Sequence, residues 1–167
     1  MNLFKITDLI IHQTKNNLIM VMPEINYLAI IVAGLIPGIV GAVYYGPIFG
    51  NAWRTALGKT EEELTPNNMA VAYGGSMLLS IFLAYNLNFI IGLTHKDINA
   101  AGELFINSNF TFGHGALHGV LIALGTVVPV IVSLGIFHKL GWKPNVLNAV
   151  FWMICFAIMG GILDVWQ

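Results

Sequence analysis

The residues able to do chemistry gather where apolar runs begin or end. The stretch Phe112-Gly113-His114-Gly115-Ala116-Leu117-His118-Gly119 sets two histidines four residues apart. On a helix that spacing stacks both imidazoles on one face about one turn apart, close enough to share a metal ion or a proton. His95 and Asp97 precede this run, Glu103 lies in between, and Asn86 and Asn88 close the apolar stretch before His95. Glu24 stands ahead of the first long apolar run and Asp164 ends the last one. If the apolar runs cross a membrane, all these groups share one rim, and a His/carboxylate cluster drawn from several helices is geometrically allowed. His138 falls at the opposite rim and stays outside it.

Three uses of this cluster are open from the residues alone. In a structural use, His118 hydrogen-bonds to a neighbouring span through Asn86 or Asp164, while His95 and His114 are interfacial. In a second, His114 and His118 hold a metal ion or haem; in a third, the imidazoles relay protons or bind a ligand. The pair lacks the glutamate of HExxH, so a zinc-protease mechanism has no general base at the expected place. Asp164 either sits in headgroups near the chain end or, drawn inward, orients a histidine. No Ser/His/Asp triad, phosphate-binding loop or nucleotide fingerprint is present, so no catalytic residue is assigned and no cofactor is expected beyond that metal or haem. Cys155 lies alone in an apolar run, which excludes an intrachain disulfide or a CxxC motif.

The elements that must position these groups follow from composition. Of 167 residues, 57% are hydrophobic and 9% charged, and the mean hydropathy is +0.78. A soluble domain carries about 25% charged residues, so the expected fold class is an all-α integral membrane protein. Seven Lys+Arg against eight Asp+Glu leave no basic field for nucleic acid. Four transmembrane helices are expected at about 25–46, 69–93, 112–137 and 146–166, with 1–24 as a retained extension at the membrane surface and 25–167 as the transmembrane domain. Pro37 predicts a kink in the first span, and Thr65 with Pro66 marks the start of the second.

Between the first two spans, Ile48, Phe49, Ala52, Trp53 and Leu57 recur opposite Asn51, Arg54 and Thr55, which predicts an amphipathic interfacial helix ending at Gly58. Thr60-Glu61-Glu62-Glu63 reads as a capping box. A second interfacial helix is expected over 97–105. Spans one and three each carry a proline and a trailing tryptophan, a pattern open to two readings: a weak repeat of two helical hairpins, or the chance likeness of apolar helices. Lys15 and Lys96 on one side, against Arg54, Lys59, Lys139 and Lys143 on the other, place both termini outside a bacterial cytoplasmic membrane. Every span carries a small-residue surface: Gly34, Gly38, Gly41 and Ala42; Ala70, Gly74, Ser76, Ser80 and Ala84; Gly115 and Gly119; Ala157 and Gly161. These permit close packing within a four-helix bundle and contacts in a homo-oligomer or with a membrane partner.

The segment Tyr44-Tyr45-Gly46-Pro47-Ile48-Phe49-Gly50-Asn51-Ala52-Trp53, followed by Gly58-Lys59-Thr60-Glu61-Glu62, resembles the hallmark stretch of a family of small membrane proteins known as domain of unknown function 1761. The resemblance extends more loosely over residues 25–166. It implies a four-span membrane protein and carries no reaction, substrate or cofactor with it. In physical terms the motif is a junction: Pro47 breaks the span, Gly46 and Gly50 allow the bend, Tyr45, Phe49 and Trp53 anchor at the interface, and Arg54 faces water. The expected function is a non-enzymatic, self-associating bundle or subunit of a membrane assembly. The alternatives are a small ion, proton or solute transporter and a metal- or haem-binding membrane enzyme.

Overall fold

The computed structural model describes residues 4–9, 11–12 and 25–166. Four helices long and apolar enough to cross a membrane run over Tyr27–Ile48, Met69–Thr94, Phe112–Phe137 and Trp142–Val165, so the chain is an integral membrane protein. The remainder of the expected surface extension, residues 1–3, 10 and 13–24, lies outside the described residues.

Helix α1 (Tyr27–Val43) starts at Asn26, whose Oδ1 accepts from the Ala29 N–H at 3.0 Å. It continues through Pro37 into a π-helical turn, Tyr44–Ile48, and the backbone leaves helical geometry at Gly46 (φ −93°, ψ −106°). The irregular point is therefore Gly46 and not the expected Pro37. Gly46 precedes Pro47, whose ring disfavours helical backbone in the residue before it, and glycine accepts the deviation. The interfacial helix α2 (Gly50–Leu57) ends on Gly58 in the left-handed region. Helix α3 (Glu61–Leu64) carries the expected box: Thr60 N–H donates to Glu63 Oε2 at 2.8 Å, and Glu63 N–H donates to Thr60 Oγ1 at 3.3 Å.

Helix α4 (Met69–Thr94) is capped by Asn68, whose Oδ1 accepts from Val71 N–H at 3.0 Å. That corrects the expected start at Thr65 and Pro66: Thr65 ends α3 in extended backbone. The helix expected over 97–105 is also corrected, to an antiparallel hairpin of β1 (Lys96–Ile98) and β2 (Leu104–Ile106). Asn99 Oδ1 accepts from Ala101 and Glu103 N–H groups at 3.0 and 2.9 Å, and Gly102 takes φ 79°. This local bonding competes successfully with a helical start.

The third span is two helices, α5 (Phe112–Gly125) and α6 (Val127–Phe137), divided at Thr126 (φ −126°, ψ −74°). Pro129 lies just beyond; its ring would press on the Gly125 carbonyl, and the chain gives way ahead of it. Helix α7 (Trp142–Val165) begins four residues earlier than expected, because Pro144 falls in its first turn, where the missing N–H is harmless.

Helix α7 is the hub, packing on α1, α4, α5 and α6. Its closest neighbour is α5, whose glycines bring backbone onto backbone: a Cβ at Gly119 would strike the Phe156 carbonyl, and one at Gly115 the Gly160 carbonyl. Helices α1 and α4 meet where a Cβ at Gly34 would lie 2.7 Å from Ile81 Cα. In lipid such close approach supplies the dispersion that holds helices together. Leu87, Ile91, Ala123, Phe156, Met159 and Leu163 are buried at the centre. Asn26 Nδ2 donates to the Trp166 carbonyl at 3.0 Å, tying the start of α1 to the end of α7 at one rim.

Gly119→Ala is expected to destabilise the bundle by about 1–3 kcal/mol through overpacking, whereas Gly75→Ala, facing open space, leaves thermal unfolding in mild detergent unchanged. The Thr60 backbone and hydroxyl bonds hold the Glu63 carboxyl below the usual carboxylate range. A lowered folded value means the cap's support is present at neutral pH and lost as pH falls through that value. Hydrogen-exchange protection of the Thr60 amide is expected to follow the same course.

Candidate functional site

The site is built where three pieces of chain meet at the Asn26 rim. His95 ends α4 and is buried. Asp164 lies one residue from the end of α7 and is fully buried. Thr111 caps α5, its Oγ1 accepting from His114 N–H at 3.2 Å, and so sets His114 on the first turn of that helix.

Asp164 gathers them. Its Oδ1 contacts His95 Nε2, while Oδ2 accepts from the Thr111 N–H at 3.1 Å and lies 3.2 Å from His114 Nδ1. The other His95 nitrogen, Nδ1, is 3.0 Å from the Asn107 carbonyl. A carbonyl only accepts, so Nδ1 carries a proton. A neutral His95 therefore presents the Nε2 lone pair to a carboxylate oxygen, and two acceptors face each other unless a cation lies between them. The arrangement demands a proton or a metal ion there.

The imidazoles form a ladder: ring centroids of His95 and His114 are 4.6 Å apart, and those of His114 and His118 are 4.4 Å apart. Phe110 covers His95 with its ring centroid 4.5 Å away. Helical spacing alone places His118 beside His114. Among the described residues nothing hydrogen-bonds to His118, so neither Asn86 nor Asp164 takes the role of its partner.

The other expected members stand apart. Asn86 is exposed and donates to its own helix at the Phe82 carbonyl, 2.8 Å away. Asp97 is exposed and accepts from Asn107 Nδ2 at 3.1 Å, bracing the residue whose carbonyl fixes His95. Glu103 holds the hairpin turn through Asn99 Nδ2 at 3.0 Å. Glu24 lies outside the described residues. Three groups could hold a metal ion: His95, His114 and Asp164, whose ligand atoms all lie within 4.8 Å of one another. This set takes one member of the expected His114/His118 pair and adds two residues from other helices. Sequence reading passed over Asn107 and Thr111, which act through backbone groups; only Thr111, a capping residue three before His114, left a signal.

The hallmark segment sits at the opposite rim. Tyr45 Oη donates to Asn148 Oδ1 at 2.7 Å and Tyr44 Oη to the Leu147 carbonyl at 2.9 Å, both on α7. Trp53 packs at a tilt on Tyr45 with ring centroids 5.0 Å apart, and its buried Nε1 has no hydrogen-bond partner among the described residues. A Cβ at Gly50 would lie 2.6 Å from the Tyr45 carbonyl oxygen, Phe49 packs on Tyr44 at 4.6 Å, and Arg54 pairs with Glu61 at 2.7 Å. Pro47 lies within the turn itself. These contacts make the segment a joint between α1, α2 and α7. A cleft of about 530 Å³ lies between α1, α4 and α7, lined by Gly38, Gly41, Tyr73, Ser80 and Trp152.

Asp164→Ala removes the carboxylate on which the two imidazoles and the Thr111 N–H converge. It is expected to cost about 3–5 kcal/mol in detergent unfolding, with Asp164→Asn costing less because an amide oxygen still accepts.

No curated protein and no solved structure matches the chain. The family model described as "Protein of unknown function (DUF1761)" matches residues 28–164, a stretch that includes His95, His114, His118 and Asp164. The chain belongs to that family.

Proposed function

We propose that this integral membrane protein is a non-enzymatic binding module whose working part is the polar centre at one rim, open to one side of the membrane and not a conduit through it. The observation that carries this reading is where the ladder stops. One helical turn past His118, α5 offers Ile122 and Ala123, which belong to the apolar core that also holds Phe156, Met159, Leu87 and Cys155. Among the described residues the buried polar side chains are Ser80, His95, Asn145 and Asp164. Ser80 lines the cleft, and Asn145 lies near the start of α7 at the far rim. Neither continues the ladder as a chain of ionisable groups of the kind that proton relays use.

The module self-associates or joins a larger membrane assembly. Gly38, Gly74 and Gly75 face open space and support that part of the reading, since small residues let a further helix approach closely. The glycines of α5 and α7 are already occupied within the bundle. The Lys and Arg distribution supports reading the polar centre as lying on the outer face of a bacterial cytoplasmic membrane, with the hallmark joint inside.

In a Cys155→Ser background, His118→Cys is expected to react with a membrane-impermeant maleimide only from the side of the 94–111 hairpin, and wild-type proteoliposomes are expected to show no ion or proton flux above empty vesicles. Labelling from both sides, or flux abolished by His118→Ala, overturns the one-sided reading in favour of transport. A native mass in mild detergent showing only monomer, with nothing copurifying, removes the assembly part.

A further inference from the structure

We infer that the ligand of the polar centre is a divalent transition-metal ion of the zinc class, held by His95 Nε2, His114 Nδ1 and an Asp164 carboxylate oxygen. This deepens the reading of the centre as a one-sided binding site and rests on it. Convergence is the first ground: the ligand atoms come from α4, α5 and α7 and lie within 4.8 Å of one another. The separation of 3.2 Å between His114 Nδ1 and Asp164 Oδ2 is close to the edge of about 3.3 Å that a tetrahedron with bonds of about 2.0 Å requires.

Protonation is the second ground. Because the Asn107 carbonyl holds a proton on His95 Nδ1, the nitrogen turned to Asp164 is the one with a lone pair when the ring is neutral, the form in which imidazole binds metal. A shared proton satisfies that one contact; a metal ion seated against the carboxylate gives both ring nitrogens, His95 Nε2 and His114 Nδ1, one common partner.

The surroundings are the third ground. Metal-binding histidines usually donate their other N–H to a carbonyl or carboxylate, and metal-binding carboxylates accept outer hydrogen bonds. Asn107 and Thr111 supply both, through the His95 Nδ1 contact and the Thr111 N–H to Oδ2 bond at 3.1 Å. Phe110 adds an apolar face against the His95 ring. Two nitrogens and a carboxylate oxygen are three ligands, which leaves a coordination position for a small exogenous donor.

The test is metal content of the full chain, purified in mild detergent without chelator from cells grown with zinc, iron, manganese and cobalt, together with a Co²⁺ titration followed by visible absorption. The expected result is about one ion per chain and Co²⁺ ligand-field bands that saturate near equivalence. His114→Ala and Asp164→Asn should each lower retained metal at least about tenfold, while His138→Ala at the other rim leaves it unchanged. Because Asp164 also supports the fold, His114→Ala is the deciding variant, read on protein whose helical circular dichroism matches wild type. Folded wild-type protein with no retained metal and no Co²⁺ bands, or binding undiminished in His114→Ala, overturns the proposal. One-sided labelling of His118→Cys alongside either result would leave the binding site standing and remove only the metal.

Discussion

The structure turns on one buried carboxylate. Asp164 lies at the end of an apolar helix with no exposed surface, a position that is costly for a charge unless it is compensated on every side. Compensation comes from His95 at the end of α4 and from His114 and the Thr111 N–H at the start of α5. The same contact that neutralises the carboxylate therefore fixes the end of α4 and the start of α5 against α7. It also pins the hairpin between them, through the Asn107 carbonyl on His95.

That contact can form only because the helices around it come unusually close. Glycines on α5 and α7 let the two backbones touch at Gly115 and Gly160, which brings the first turn of α5 against the last turn of α7. Any side chain at Gly115 would meet both the Gly160 carbonyl and the Asp164 side chain. Packing in the apolar part and chemistry at the rim are thus coupled. At the other rim the coupling is aromatic: Tyr44 and Tyr45 reach α7 through their hydroxyls, and Trp53 folds back on Tyr45.

Much of this was legible in residue types. Long apolar runs with few charges announced the four helices, and Gly58 and Thr60 marked the bounds of α2 and α3, because propensity, capping and hydrophobicity agree there. The hairpin at 96–106 was not legible: Asp97 and the apolar residues after it mimic a helix start, and the deciding Asn99 bonds, although local, use a residue that equally suits a helix cap. Pro37 misled in a different way: α1 runs through it, and the chain yields instead at Gly46 before Pro47 and at Thr126 ahead of Pro129. His114 and His118 were visible from spacing, whereas joining His95 and Asp164 to His114 needs residues 69 and 50 positions apart to meet. No local pattern encodes that.

The account therefore stands or falls on whether Asp164 is drawn inside the rim. An experimental density map of the protein in lipid nanodiscs, prepared in the presence of zinc, examines this directly. The predicted result is the Asp164 carboxylate enclosed by His95, His114 and the Thr111 amide, with an ion peak between the two imidazoles and the carboxylate. Asp164 pointing into the headgroup region, with the histidines turned outward toward lipid, would contradict it.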